Sequence, residues 1–492
     1  MNKKKLSKNL IITLGVYGFL LVLNIYVSKV VLISYGSEVN GLLASVNQIY
    51  TYMALLEAGI GTATITALYA PLAQKNEEEI NRVCSASSLY YRHILKWYIL
   101  CVIAVSFLWP FVLDTSIGYW SIFGVILIQG ISNAATFYYV SAITNYLTAY
   151  GKNYINVYIH MGITVLTYLT KAAVSLIGGN VLLISAALLG INGLKCLFYF
   201  IYKKVACKEL RFDVKTDLSI LNQRNSFLAH EVVGVVFSAS DIVIISTLCD
   251  LKMASVYAVY SMVTSALSSI IGQIFNSTKY ILGDAYHREN YQKVHDNYNV
   301  VYITIAFALY TVTFLLFRPF IDIYTRGMDD INYSIRYLPI LFVLIQLLSI
   351  CRNVDTVLIK NAGHSKQTIN RAIIEAVINL VASVLLLYFL GIHGVLLGTV
   401  LALLYRANDM ILYANKKILN RSPWKEYKLY VFNFLIFGLF GGLNYHFPIQ
   451  ASGYLDLICR AIVVFVVVAS VYCLLNFAMF GKGLIKHNKK CA

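Results

Sequence analysis

Charged side chains are scarce in this sequence: 13% of its 492 residues are Asp, Glu, Lys or Arg, against 59% hydrophobic, and the mean hydropathy is +0.69. Water-soluble domains carry about a quarter charged residues, so that class is excluded. Acids are the scarcest, 23 against 40 Lys and Arg, leaving a formal net charge of +17. In so apolar a chain the excess cannot build the basic face that nucleic acid needs, so no nucleic-acid partner is expected and position decides its meaning. Cysteine motifs are missing as well. The nine Cys are odd in number and scattered, with no CxxC pair or His-spaced cluster to hold a metal, and read as reduced, small apolar residues. Long hydrophilic segments are missing too, the longest connection between apolar runs, Lys203 to Ser226, being too short for a soluble domain. The sequence lacks a Gly-x-x-x-x-Gly-Lys-Ser/Thr phosphate loop, a His-Glu-x-x-His pair and a Gly-x-Ser-x-Gly elbow. ATP is therefore not expected as a direct energy source, nor is any cofactor.

Apolar runs fill what remains. The first, about Leu10 to Ser34, follows Lys3, Lys4, Lys5 and Lys8; it outlasts a signal-peptide core, has no small-residue cleavage site, and reads as an uncleaved span. Further runs begin near Gly41, Tyr91, Trp120, Tyr154, Val181, Phe227, Met253, Tyr298, Tyr337, Ala372, Ile392, Tyr430 and Leu455. Each reaches the roughly 20 residues that cross a bilayer, which predicts an all-α, polytopic membrane protein of about fourteen spans. Connections after spans two, six, eight, ten and twelve carry Lys and Arg, whereas most odd-numbered ones are nearly free of them. The cation bias places the first set and both termini in the cytoplasm, so most of the 40 cations are topology signals and contacts with anionic membrane lipid.

An internal repeat organises the spans. Tyr150-Gly151-Lys152 after span four has a counterpart in Gly363-His364-Ser365-Lys366 after span ten, and Lys203-Lys204-Val205 after span six matches Lys416-Lys417-Ile418 after span twelve, at an offset of about 213. The external turn Gly36-Ser37-Glu38 shifts onto Asp250-Leu251-Lys252. An even number of spans separates the copies, so both share one orientation about a pseudo-twofold axis along the membrane normal. The expected plan is a six-helix bundle over 1–202, a cytoplasmic linker 203–226, a second six-helix bundle over 227–415, a cytoplasmic loop 416–429, helices 13 and 14 within 430–480 and a basic tail 481–492.

The six plus six plus two plan resembles the polysaccharide transporter branch of the multidrug/oligosaccharidyl-lipid/polysaccharide exporter superfamily, which includes O-antigen and capsule repeat-unit flippases. The resemblance also rests on Asn24-Ile25-Tyr26-Val27-Ser28-Lys29, on Tyr35-Gly36-Ser37-Glu38-Val39-Asn40-Gly41-Leu42, and on Glu57-Ala58-Gly59-Ile60-Gly61-Thr62-Ala63. It implies a non-enzymatic flippase of the bacterial plasma membrane that exports a polyprenyl-diphosphate-linked oligosaccharide by alternating access. Polysaccharide polymerase and glycosyltransferases follow as candidate protein partners. A cation-coupled multidrug exporter of the same superfamily is the alternative; such exporters commonly lack the appended helix pair. Polymerases and ligases acting on such glycans need a large external loop, and none exists here.

Charges within the spans then become the candidate site, because each is costly at mid-bilayer unless it faces a cavity or a partner. Lys29, Arg352 and Lys171 are candidate cations for a diphosphate or acidic sugar; a guanidinium suits phosphate best, by bidentate contact. Glu57 and Asp241 are candidate carboxylates for a coupling H+ or Na+, with Lys29 and Asp241 at nearly repeat-equivalent depths in spans one and seven. Arg352 with Asp355, and Arg406 with Asp409, share an i, i+3 spacing that neutralises each pair on one helix face. Together with Glu375 they are expected to form a structural network. Lys96, Lys195, Arg318 and Arg460 lie near span ends and are expected to snorkel.

Overall fold

The computed structural model describes residues 3–57, 59–221, 240–286 and 291–480. Every regular element among them is helical, as a chain in lipid requires if its backbone polar groups are to be satisfied without water. In order they are α1 (Lys3–Met53), α2 (Ile60–Gln74), α3 (Glu77–Leu108), α4 (Tyr119–Tyr139), α5 (Ser141–Ala149), α6 (Asn153–Leu176), α7 (Val181–Ala206), α8 (Leu251–Thr278), α9 (Tyr280–Tyr286), α10 (Tyr291–Tyr324), α11 (Leu338–Cys351), α12 (Asn353–Asn361), α13 (Ile369–Leu390), α14 (Ile392–Tyr413), α15 (Trp424–His446) and α16 (Tyr454–Phe480). Residues 240–248 are helical as well.

Eleven helical stretches among the described residues are long and apolar enough to cross a bilayer, and the protein is a multi-pass membrane protein. The expected fourteen runs map onto them with three differences. Span seven, expected to start at Phe227, lies largely outside the described residues. Span thirteen is α15, which is not among the eleven. Spans one and two run together in that count, but they are two helices that meet at Gly36, where the turn was expected; Gly36 takes φ 78° and ψ 178°, a conformation essentially open to glycine alone. Glu38 anchors the kink, its Oε2 accepting from the Ser116 hydroxyl at 2.6 Å and from the Ser116 N–H and Thr115 hydroxyl at 3.2 Å.

Local irregularities recur at the spacing of the repeat. Span four breaks at Val140 and span ten at Arg352; Gly151 and Gly363, at φ 78° and 73°, follow the short helices α5 and α12; Gly178 and Gly391, at φ 71° and 57°, form the next turn. These pairs lie 212, 212 and 213 positions apart.

The chain divides into two compact units, Val22–Val256 and Met1–Leu21 with Tyr257–Ala492. The division falls inside α8 rather than in the 203–226 linker, for two reasons. The first turn of α8 belongs to the core of the N-terminal unit: Leu251 is fully buried there, Asn40 Nδ2 donates to Ser255 Oγ at 2.7 Å, and a Cβ on Gly41 would meet the Leu251 carbonyl oxygen at 1.8 Å. The linker is itself packed on α3, with the Arg211 N–H donating to Asn81 at 2.8 Å and the Val214 N–H to Ser85 at 3.1 Å.

Tight contact rather than burial from water holds such helices together, since lipid is as apolar as the core. In the N-terminal unit Tyr50 donates to the Ile126 carbonyl, and Tyr98 packs edge-on against Phe137. In the C-terminal unit Tyr260 stacks on Phe317 and Phe342. The α13–α14 hairpin closes over Gly394 and Gly398, where a Cβ would lie 2.1 Å from the Leu386 carbonyl oxygen and 2.4 Å from the Ser383 nitrogen. Large apolar side chains such as Phe389 and Leu455 point outward, 83% and 81% exposed, which suits a lipid surround.

Candidate functional site

The break at Arg352 sets up the main site of the C-terminal unit. A regular span would keep Arg352 and Asp355 on one face; instead they diverge into two clusters. Arg352 Nη1 donates to Glu375 Oε1 of α13 at 2.5 Å, and Arg406 Nε of α14 lies 3.3 Å from the other oxygen of that carboxylate. Arg406 Nη1 then reaches Asp409 Oδ2 at 2.9 Å, and Arg371 Nη1 reaches Asp409 Oδ1 at 2.5 Å. The sequence Arg352, Glu375, Arg406, Asp409, Arg371 thus alternates in sign across three elements. Its inner members are nearly buried, with Glu375 and Arg406 side chains 6% and 5% exposed, and its ends open outward, with Arg352 at 20% and Arg371 at 39%. Three guanidiniums against two carboxylates leave one net positive charge. The expectation that Asp355 joins this network is corrected, and Arg352, expected as a substrate cation, is held by Glu375.

Asp355, in the first turn of α12, faces His295 of α10 across 3.4 Å, and Glu426 of α15 approaches the same imidazole at 3.9 Å. All three are buried, and their donor atoms lie within 4.8 Å of one another, close enough to hold a metal ion. Alongside, Asp296 pairs with Arg421 at 2.7 Å and with Lys425 at 2.5 Å, and Arg421 also reaches Glu426 at 2.8 Å. Burial opposes the charge on Arg421, but Asp296 and Glu426 outweigh it and hold the guanidinium above its ordinary pKa. The sequence reading missed His295, Asp296, Arg421 and Glu426. A signal was present: Tyr291, His295 and Asn299 recur every four residues on α10, as do Glu426 and Tyr430 on α15, and the stripes meet where Asn299 Nδ2 donates to the Tyr430 hydroxyl at 2.9 Å.

The remaining candidates lie in the N-terminal unit. Lys29 on α1 and Lys171 on α6 are half-buried. Asp241 is 5% exposed and sits beside Tyr52, whose hydroxyl bonds the neighbouring Ser240. Lys29 and Asp241, expected in opposite bundles, fall in the same compact unit. Glu57 is half-buried in the turn after α1, within electrostatic reach of Tyr98 and Lys195. Lys195, expected to snorkel, therefore has an acidic neighbour inside its unit.

An apolar cavity of about 370 Å³ opens between α8 and α10, lined by Ile271, Ile274, Ile281, Val301 and Ile305, with Tyr298 at its side.

No protein-family model and no curated protein sequence matches the chain. Solved structures do. A multidrug resistance MATE family transporter of the MOP superfamily, in an inward-facing conformation, aligns with a TM-score of 0.69 at 13% identity over 82% of this chain and 94% of that one. The lipid II flippase MurJ, in an inward closed conformation, aligns with a TM-score of 0.70 at 13% identity over 95% of this chain and 99% of that one. A MATE protein in complex with MaD3S aligns at 0.58 and 15% identity, over 82% and 94%. The chain therefore has the all-α fold of MOP-superfamily transporters.

Proposed function

We propose that the protein is a flippase that moves a polyprenyl-diphosphate-linked oligosaccharide from the cytoplasmic to the outer leaflet of a bacterial plasma membrane by alternating access. The supporting observation is coverage. The lipid II flippase aligns over 95% of this chain, whereas the multidrug transporter aligns over 82%. Buried charge fits the same reading, since a non-transporting scaffold has no use for Glu57 or Asp241 in its spans. The apolar cavity beside α10 suits a segment of an isoprenoid chain.

In this proposal Lys29 and Lys171 hold the diphosphate headgroup, and Arg352 adds the fixed charge of its network. Glu57 and Asp241 take the coupling H+ or Na+. One charge crossing the full field is worth about 2.3 kcal/mol per 100 mV, enough to bias a two-state transporter.

Purified protein in sealed vesicles, supplied with a fluorescent polyprenyl-diphosphate oligosaccharide, tests this. Headgroups should reach the opposite leaflet faster than in empty vesicles, and Lys29→Ala should lower that rate at equal protein levels. Uptake of a cationic drug with no headgroup movement would establish the multidrug alternative instead.

A further inference from the structure

We propose that His295, Asp355 and Glu426 form a binding site for a divalent transition-metal cation, of the Zn2+ or Mn2+ class, that fastens the appended helix α15 to α10 and α12. This site is distinct from the alternating Arg352–Arg371 network, and the proposal does not depend on what the protein transports.

The first support is unmet hydrogen bonding. His295 and Asp355 side chains are 0% exposed, and Glu426 is 3% exposed. Both imidazole nitrogens, both Asp355 oxygens and Glu426 Oε2 have no hydrogen-bond partner, and the same holds for the Tyr291 hydroxyl and Asn299 Oδ1 one turn to either side of His295. Buried polar groups are almost always satisfied, because each left unmet costs about 1–3 kcal/mol. The five unmet atoms of His295, Asp355 and Glu426, residues whose donor atoms lie within 4.8 Å of one another, mark a place built around a further ligand.

Distance gives the second. An imidazolium–carboxylate bridge closes to about 2.7–2.9 Å. Here Nε2 stands 3.4 Å from Asp355 Oδ1, and Nδ1 stands 3.9 Å from Glu426 Oε1 and 3.7 Å from Asp296 Oδ1. Those gaps are longer than such bridges, and because the two ring nitrogens point apart a single ion would take only one of them; on the Nε2 side the 3.4 Å gap to Asp355 matches the edge of a tetrahedron with bonds of about 2.0–2.1 Å.

Charge gives the third. Arg421 pairs with Asp296 and Glu426, and Lys425, 64% exposed, pairs with Asp296, whereas Asp355 meets neither cation. Three carboxylates stand against two cations, so the cluster is short by one positive charge when the imidazole is neutral, as a metal ligand must be. One imidazole and two carboxylates are a donor set for a borderline divalent cation rather than for Mg2+, which prefers all-oxygen, largely hydrated surroundings.

The test uses full-length protein in detergent, stripped with a chelator and then titrated with Zn2+ or Mn2+. We expect a saturable rise in Tm with one of these ions, one equivalent bound per chain in competition with a chromophoric chelator, and no such rise with Mg2+. Asp355→Asn should weaken binding at least tenfold; should it fail to fold, His295→Gln carries the same expectation. A Tm that neither Zn2+ nor Mn2+ moves, or a shift that persists in both variants, would overturn the proposal.

Discussion

The two halves of the repeat share a helical plan and differ in what fills it. Breaks and left-handed glycines recur 212 to 213 residues apart, yet the charges do not. At that offset Arg406, Asp409 and Glu375 correspond to Gly193, Cys196 and Gly162, and His295 corresponds to Arg82, an exposed surface residue. Where the C-terminal half has the Arg352–Arg371 chain of ion pairs, contacts between spans of the N-terminal half include neutral ones: Asn145 donates to Tyr91 at 3.2 Å, Asn192 to Ser132 at 2.6 Å, and Tyr199 to Asn156 at 3.2 Å. Neutral hydrogen bonds in membranes are worth roughly 0.6 kcal/mol each on average, whereas breaking a buried ion pair costs several times that. The fold needs the breaks in both copies and the charge in only one. The charged copy is also the one with α15 and α16 appended, and Glu426 of α15 completes its second cluster.

Removing the carboxylate at the centre of the network should break this contrast most sharply. Glu375→Ala takes a partner from both Arg352 and Arg406, the latter nearly buried. We expect a loss of about 3 kcal/mol or more, read as a lowered Tm in detergent. Glu375→Gln, which keeps the shape but not the charge, should recover part of it. An unchanged Tm in both variants would mean that the alternating chain contributes nothing to the stability of the half that carries it.

Glycine sharpens the comparison at an intermediate size. Gly398→Ala drives a Cβ to 2.4 Å from the Ser383 backbone nitrogen, where α13 and α14 touch, and should cost about 1–3 kcal/mol. Gly193→Ala on α7 has nothing within 4 Å and should be neutral or stabilise by up to about 1 kcal/mol through helix propensity. Thermal unfolding of the two variants should move in opposite directions; a matched loss would show that α7 packs as tightly as α14.

How legible all this was depended on whether a feature needs one residue's chemistry or a neighbour's position. The spans and the spacing of the repeat follow from apolar runs and loop composition; the all-helical fold bears out the class, with eleven span-length stretches counted among the described residues against the fourteen spans expected. The break at Gly36 was legible because Gly-Ser-Glu interrupts two apolar runs, and the backbone leaves the helical region there. Self-pairing of Arg352 with Asp355 failed because an i, i+3 rule assumes an unbroken helix, and the helix breaks at Arg352. His295 and Glu426 escaped for a different reason. Each stands at a span end, where a polar residue ordinarily meets water, and their burial depends on α15 folding back over α10, which no local pattern announces.

The smallest effect is expected at the N-terminal counterpart of His295. Arg82 Nη1 meets Glu79 Oε2 at 3.2 Å, an i, i+3 contact with side chains 46% and 37% exposed. Solvent screens such a pair, and holding two long side chains in register offsets much of the attraction, so Arg82→Ala should cost roughly 0.5 kcal/mol or less. Raising the salt from 0.05 to 0.5 M should shrink even that, because exposed pairs weaken as the screening length falls. Glu375→Ala should keep most of its effect over the same range, its partners being shielded from solvent. If Arg82→Ala instead lowered the Tm as far as Glu375→Ala does, and with no salt dependence, the division of labour between a neutral half and an ionic half would fail at the position where the two copies differ most.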